Sequence, residues 1–269
     1  MPIFESIVLG LVQGLTEFIP VSSSGHLELV EALLSAGSRA ENFHLFLEFI
    51  NLGTLLALLI FYRKKILEIL SQIFKKHDFK FAINILLTIL PVGIAGLLLS
   101  DLIESLPFFS SLATISVAML VVGLLMYFID KLPKLSKLKN LDSLPKSRAL
   151  LIGCAQIFAL IPGTSRSGTS ILAGRLVGLN SEDAADYSFL SSIPIMTGVC
   201  LKMFLKSSSR AYFFANLGTL ALSNLVAFLS GLFALYFVLR FLKKPNGLKY
   251  FGAYRICLAL LVLALVLIS

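Results

Sequence analysis

The sequence predicts an all-α polytopic membrane protein, built as an inverted repeat of one re-entrant helix hairpin plus three transmembrane helices. Three observations carry this. Mean hydropathy is +0.92 and 57% of the residues are hydrophobic, a balance that belongs to chains surrounded by lipid. Six apolar segments, near 43–62, 82–99, 107–129, 187–205, 213–240 and 250–268, are each long enough to span about 30 Å of hydrocarbon. Two more, roughly 1–35 and 149–180, are apolar but broken midway by Pro, Ser and Gly.

The first broken segment runs Gln13-Gly-Leu-Thr-Glu17-Phe-Ile-Pro20-Val-Ser22-Ser23-Ser24-Gly25-His26. Gln13 and Glu17 are four apart, so a helix carries both on one face. Pro20 ends that helix, and a second is expected to begin near His26. The other broken segment runs from Gln156 through Ile161-Pro162-Gly163-Thr164-Ser165-Arg166-Ser167-Gly168-Thr169. There Pro162-Gly163 makes the break, and Ser167 is placed to cap a helix from Gly168 onward. Both pass from Gln through Ile-Pro into hydroxyl residues and Ser-Gly, at an offset of about 143 residues. Half-length helices broken in this way suggest hairpins that enter and leave by one face. Asn51-Leu-Gly-Thr54 and Asn216-Leu-Gly-Thr219 also match, but their offset of 165 breaks the register, so that likeness is read as chance.

Charge tests this count. Of 23 Lys and Arg, 16 fall in 63–81, 130–148 and 240–249, each beside an apolar run. If the hairpins do not cross, two spans separate each basic loop from the next, and all three share the cytoplasmic side, as the positive-inside rule requires. Treating one hairpin as a full span would split them. The connections near 100–107, with Asp101 and Glu104, and 206–212 carry few charges. Three spans per unit is odd, so the second unit is inverted and the two hairpin tips are expected to meet near the midplane. The fifth span exceeds the length needed, so tilt or a break is expected there. The chain is read as one membrane domain, 1–269, with repeats at about 1–130 and 149–269 around a cytoplasmic loop at about 130–148.

The net charge of +8 reports topology and not nucleic-acid binding, because its carriers flank the spans. Cys154, Cys200 and Cys257 lack metal-ligand spacing and are read as buried small hydrophobes. The N-terminus carries Glu5 and no basic n-region or cleavage site, so it is expected to remain in the mature protein. His77 and His44 are read as solvated, and Glu48 as a candidate for lining a cavity.

The two loops hold hydroxyls, an imidazole, a carboxylate, an arginine and two helix starts, which favour an anion. That inventory suits phosphoryl transfer, where catalysis is mostly positioning and charge stabilisation. A Ser beside a His is a known nucleophile arrangement. Glu17 has three readings: orienting or protonating His26, holding a divalent cation, or pairing with Arg166. Arg255 either meets phosphate or snorkels to the interface.

At these residues the chain resembles the bacterial undecaprenyl-diphosphate phosphatase family, the integral-membrane type linked to bacitracin resistance. The family's Glu-or-Gln, three residues, Glu motif running into Pro-Val-Ser-Ser-(Ser/Thr)-Gly-His is matched from Gln13 to His26, and its Pro-Gly-x-Ser-Arg-Ser-Gly motif from Pro162 to Gly168. Asn51-Leu-Gly53, the stretch from Tyr187 to Pro194, and Tyr254-Arg255-Ile256 extend the likeness over nearly the whole chain.

The resemblance implies hydrolysis of a C55 isoprenoid diphosphate to the monophosphate and inorganic phosphate, recycling the lipid carrier for peptidoglycan and other wall polymers. It also implies six spans with two re-entrant hairpins in inverted repeat. By position, Ser23 is the nucleophile, His26 its base or acid, and Glu17 a catalytic or metal-binding carboxylate. Arg166 holds the diphosphate, with Gln13, Ser22, Ser24, Gly163, Thr164, Ser165, Ser167, Gly168 and Arg255 as further substrate contacts. A divalent cation, Mg2+ or Ca2+, is expected on Glu17 and Gln13. Many family members have Glu where this chain has Gln13, and an amide oxygen is the weaker ligand. The implied place is the bacterial cytoplasmic (inner) membrane, with the site opening to the external side. The expected partners are the lipid substrate, membrane lipids and a second copy in a homodimer, with no nucleic acid. The rival reading is a transporter or flippase of the lipid carrier, since inverted repeats with broken helices also serve transport.

Overall fold

Backbone N–H and C=O groups in lipid must be satisfied within the segment, which favours helix throughout an apolar chain. The computed structural model describes residues 2–34, 43–244 and 246–268, except for the side chains at 100, 101, 104 and 110. The side chains of Asp101 and Glu104 in the connection near 100–107 therefore lie outside the described ones. Among the described residues there are helices and turns but no strands. The first half contains α1 (Ile3–Phe18), α2 (Ser23–Leu34), α3 (Phe43–Phe49), α4 (Asn51–Phe61), α5 (Arg63–Lys76), α6 (Lys80–Ser105), α7 (Pro107–Ser110) and α8 (Leu112–Tyr127). The second contains α9 (Lys146–Gln156), α10 (Arg166–Leu176), α11 (Ser181–Leu205), α12 (Ser207–Ala215), α13 (Leu217–Leu242) and α14 (Gly247–Ile268).

Five of the six predicted spans are helices long and apolar enough to cross a membrane: Phe43–Phe61, Lys80–Leu99, Ser181–Leu205, Leu217–Leu242 and Gly247–Ile268. This is a multi-pass helical membrane protein. The predicted span at 107–129 is shorter in the structure, an apolar helix over Leu112–Tyr127. Ser111 takes an extended conformation and its side chain caps Thr114 N, leaving a 16-residue helix, α8. The expected break in the fifth span falls near its start, at Asn216 between α12 and α13, and α13 then runs 26 residues. Cys200 is buried as expected, whereas Cys154 and Cys257 are exposed. His44 and His77 are exposed as read.

Helices of one half pack on those of the other. α1 runs along α13, and α9 along α6. Gly10 and Gly14 meet Ser223, Ala227 and Ser230, while Gly153 meets Thr88, and a Cβ at any of the three would strike main chain of the facing helix. Small residues allow this close approach between membrane helices.

The three basic stretches gather at one end. Lys80 Nζ donates to Asp142 O at 2.5 Å, Tyr62 Oη to Asp186 at 2.7 Å, and Lys243 pairs with Glu182 at 2.8 Å. At that end the hydrogen bond from Lys134 and the charge of Arg175 hold the Asp130 carboxyl below its usual range. Both legs of the second hairpin also open there, with Arg148 Nη1 donating to Val177 O at 2.8 Å and Leu138 N to Gly178 O at 2.9 Å. The first hairpin is different. Its Leu9 and Leu27 pack with Phe43, Met203 and Leu220, beside the α11–α12 connection.

Candidate active site

The breaks in the two hairpins have the same backbone design. Ser22 and Ser165 both sit in the left-handed region, at φ 78° and 74°. Each side chain caps the N–H of the glycine three residues on, Gly25 at 3.3 Å and Gly168 at 3.1 Å. Each also lies near the next-but-one serine, Ser24 at 3.3 Å and Ser167 at 3.2 Å. The expected cap at Ser167 is thus corrected to Ser165, with α10 starting at Arg166. In the first hairpin α2 starts at Ser23, three residues before the expected point. Ser23 and Arg166 therefore occupy equivalent places, the first residue of each second helix.

Both reach Glu17. Ser23 Oγ donates to Glu17 Oε2 at 2.7 Å, and Arg166 Nη2 to Oε1 at 2.6 Å. Gln13 Nε2 adds a bond to Oε2 at 3.0 Å and another to Asn51 Oδ1 at 2.8 Å. Ser167 Oγ donates to the Glu17 carbonyl at 3.2 Å. The Glu17 carboxylate, 11% exposed at the end of α1, is thus neutralised from the opposite hairpin, as a largely buried ion requires. Of the three readings of Glu17, the ion pair with Arg166 is formed, and the carboxylate also takes the serine.

His26 is placed otherwise. Its Nδ1 faces Ser22 O at 2.7 Å and its Nε2 faces Tyr254 Oη at 2.8 Å. The expected Ser23–His26 contact is therefore not made, because the Pro20 turn presents Ser23 to Glu17 instead. Asn51 and Tyr254, which the sequence marks only as part of the family likeness, join the site through these contacts. Asn51 lies 38 residues from Gln13, and Tyr254 lies 228 residues from His26.

Arg255 does not snorkel. It is 0% exposed, and its guanidinium donates only to main-chain carbonyls. Nε bonds Met119 O at 3.2 Å, Nη1 bonds Pro20 O at 3.3 Å, and Nη2 bonds Gly163 O at 2.8 Å and Thr164 O at 3.1 Å. One side chain thereby ties the breaks of both hairpins together. Thr164 Oγ1 is likewise bound to carbonyls of the turn, Phe158 at 2.9 Å and Ile161 at 2.6 Å. Gly163 has φ 93° and packs on the Ile115 main chain. Ser22, Gly163, Thr164, Ser165 and Arg255 therefore build the loops, while Ser23, Ser24, His26 and Arg166 keep partly exposed surface.

Gln13 and Glu17 do not fit a divalent cation as a pair. Both Glu17 oxygens already accept from Arg166, Ser23 and Gln13, and Gln13 turns its NH2 group, not its oxygen, toward the carboxylate. Among the described residues no group of three His, Cys, Asp or Glu is gathered for a metal. Gln13→Glu replaces that donor with a second carboxylate. Hard cations bind tighter as ligand charge rises, so this variant is expected to shift any activation by Ca2+ or Mg2+ to at least tenfold lower concentration. A cation titration of activity for both proteins checks this.

Fold and site together define a multi-pass membrane protein whose polar centre joins serine, carboxylate and arginine from two hairpin tips, a set suited to a phosphorylated ligand. The chain belongs to the family described as Bacitracin resistance protein BacA, whose model matches residues 6–261. It is 38% identical over 264 residues to a protein of Methanococcus maripaludis named undecaprenyl-diphosphatase, covering 96% of this chain and 98% of that one. It is 40% identical over 277 residues to the undecaprenyl-diphosphatase of Myxococcus xanthus, covering 98% and 89%. With undecaprenyl-diphosphatase 1 of Clostridioides difficile it shares 35% over 269 residues, covering 98% and 96%.

Proposed function

We propose that the protein is an integral membrane phosphatase that hydrolyses undecaprenyl diphosphate to undecaprenyl phosphate and inorganic phosphate, returning the lipid carrier to cell-wall synthesis. The observation that carries this reading is the meeting of Ser23 and Arg166 on Glu17, at 2.7 and 2.6 Å. Membership of the family and the shared name of its relatives support the substrate. A transporter would use Arg166 and the helix starts, but has no task for a hydroxyl held on a carboxylate.

In this mechanism Ser23 Oγ attacks the terminal phosphorus and passes its proton to Glu17. The bond from phosphorus to the bridging oxygen breaks, and polyprenyl phosphate leaves. Arg166 and the amides opening α2 and α10 stabilise charge on the phosphoryl oxygens. His26 exchanges protons with the leaving oxygen and with the water that clears the phosphoserine.

The topology belongs to the same proposal. Two re-entrant hairpins enter from opposite faces of one membrane domain, as the opposite openings of their legs and the exchanged α1–α13 and α9–α6 pairs support. The basic end is cytoplasmic by the positive-inside rule, and the site opens outward.

The test is phosphate release from a C55 isoprenoid diphosphate by purified protein in detergent, beside Ser23→Ala. Parent turnover with a loss on the order of 10³-fold in the variant is expected. Near-normal turnover without the hydroxyl would replace serine attack by direct attack of water.

A further inference from the structure

His26 stands on α2 one turn beyond Ser23, with both ring nitrogens engaged. The Ser22 carbonyl can only accept, so Nδ1 at 2.7 Å carries a proton and Nε2 is the nitrogen free for acid–base work. Nε2 meets Tyr254 Oη at 2.8 Å, and the rings lie nearly parallel, 11° apart in tilt. Tyr254 is 48% exposed, so its ring sits at the edge of the site. Its backbone is fixed by its neighbour Arg255, whose four hydrogen bonds anchor this turn of α14 to α8 and to both hairpins. A phenol donates to neutral imidazole and accepts from imidazolium. This partner therefore serves the ring in either protonation state, as a histidine that gains and loses a proton in each turnover requires.

We propose that Tyr254 is a positioning residue of the phosphatase reaction, holding Nε2 of His26 at the open side of the site through the change in its protonation. This role rests on the phosphatase reading above. It also separates two proton routes: Glu17 serves the serine, and the His26–Tyr254 couple serves the leaving phosphate and water.

The experiment is a double-mutant cycle on purified full-length protein with C55 diphosphate. Tyr254→Phe keeps the ring and removes one hydrogen bond. It is expected to lower kcat about tenfold, the equivalent of one such bond, with KM within about twofold. In a His26→Ala background, assayed at higher enzyme concentration, the same change is expected to have no further effect, since the two act as a unit. Wild-type kcat in Tyr254→Phe, or an equal loss with and without His26, overturns the proposal. A parent that releases no phosphate would instead sink the phosphatase reading. The His26–Tyr254 contact would then be judged by the ¹⁵N shift of His26 Nε2, which must move in Tyr254→Phe.

Discussion

Arg166→Ala is expected to lower phosphate release by about 10³-fold or more, the scale on which a charge-stabilising arginine acts in phosphoryl transfer. Two effects add. The developing charge on the phosphoryl oxygens loses its guanidinium, and Glu17 loses the cation 2.6 Å from its Oε1. An uncompensated carboxylate beside the phosphate would then repel the substrate. Arg166→Lys is expected to restore little, because a point charge cannot hold Glu17 and a phosphate with the fork geometry of arginine. Turnover and binding of the uncleaved lipid, measured on the same preparations, check both variants. Arg166→Ala with parent-like kcat would remove Arg166 from the mechanism.

Arg255→Met is expected to act on the scaffold. It leaves the carbonyls of Met119, Pro20, Gly163 and Thr164 without this donor. A buried polar group without a partner costs about 1–3 kcal/mol. Even with partial relaxation, thermal unfolding in detergent should fall by several degrees or more, with activity lost in parallel. A stable but inactive Arg255→Met protein would instead give this arginine a direct part in binding substrate.

Much of the fold was legible because its signals are local. A run of 20 apolar residues reads as a span wherever it occurs, and Gln-to-Ser-Gly spacing marks both hairpins without knowledge of their packing. The α8 region read too long because Ser111, inside an apolar stretch, gives no sign in sequence that its hydroxyl will cap Thr114. The site was legible as a set of residues but not as a set of contacts. Ser23 and His26 are three apart and invite pairing. Only the backbone path through Pro20 and the left-handed Ser22 decides that Ser23 faces Glu17. Tyr254 and Asn51 enter through tertiary contacts across 228 and 38 residues, and Arg255 through carbonyls of three different segments. No periodicity or motif encodes such partners, since they depend on which helices become neighbours.

The matched turns at Ser22 and Ser165 bear on how this chemistry could be altered. Each turn is a mount of the same shape that delivers its next residue to one shared carboxylate. One mount now carries a hydroxyl and the other a guanidinium. In the proposed mechanism the difference between attacking a phosphate and gripping it is therefore written in two side chains on matched turns. Because the two turns match in shape, what each hairpin contributes at Glu17 is decided by the single side chain that follows its turn, Ser23 in one and Arg166 in the other.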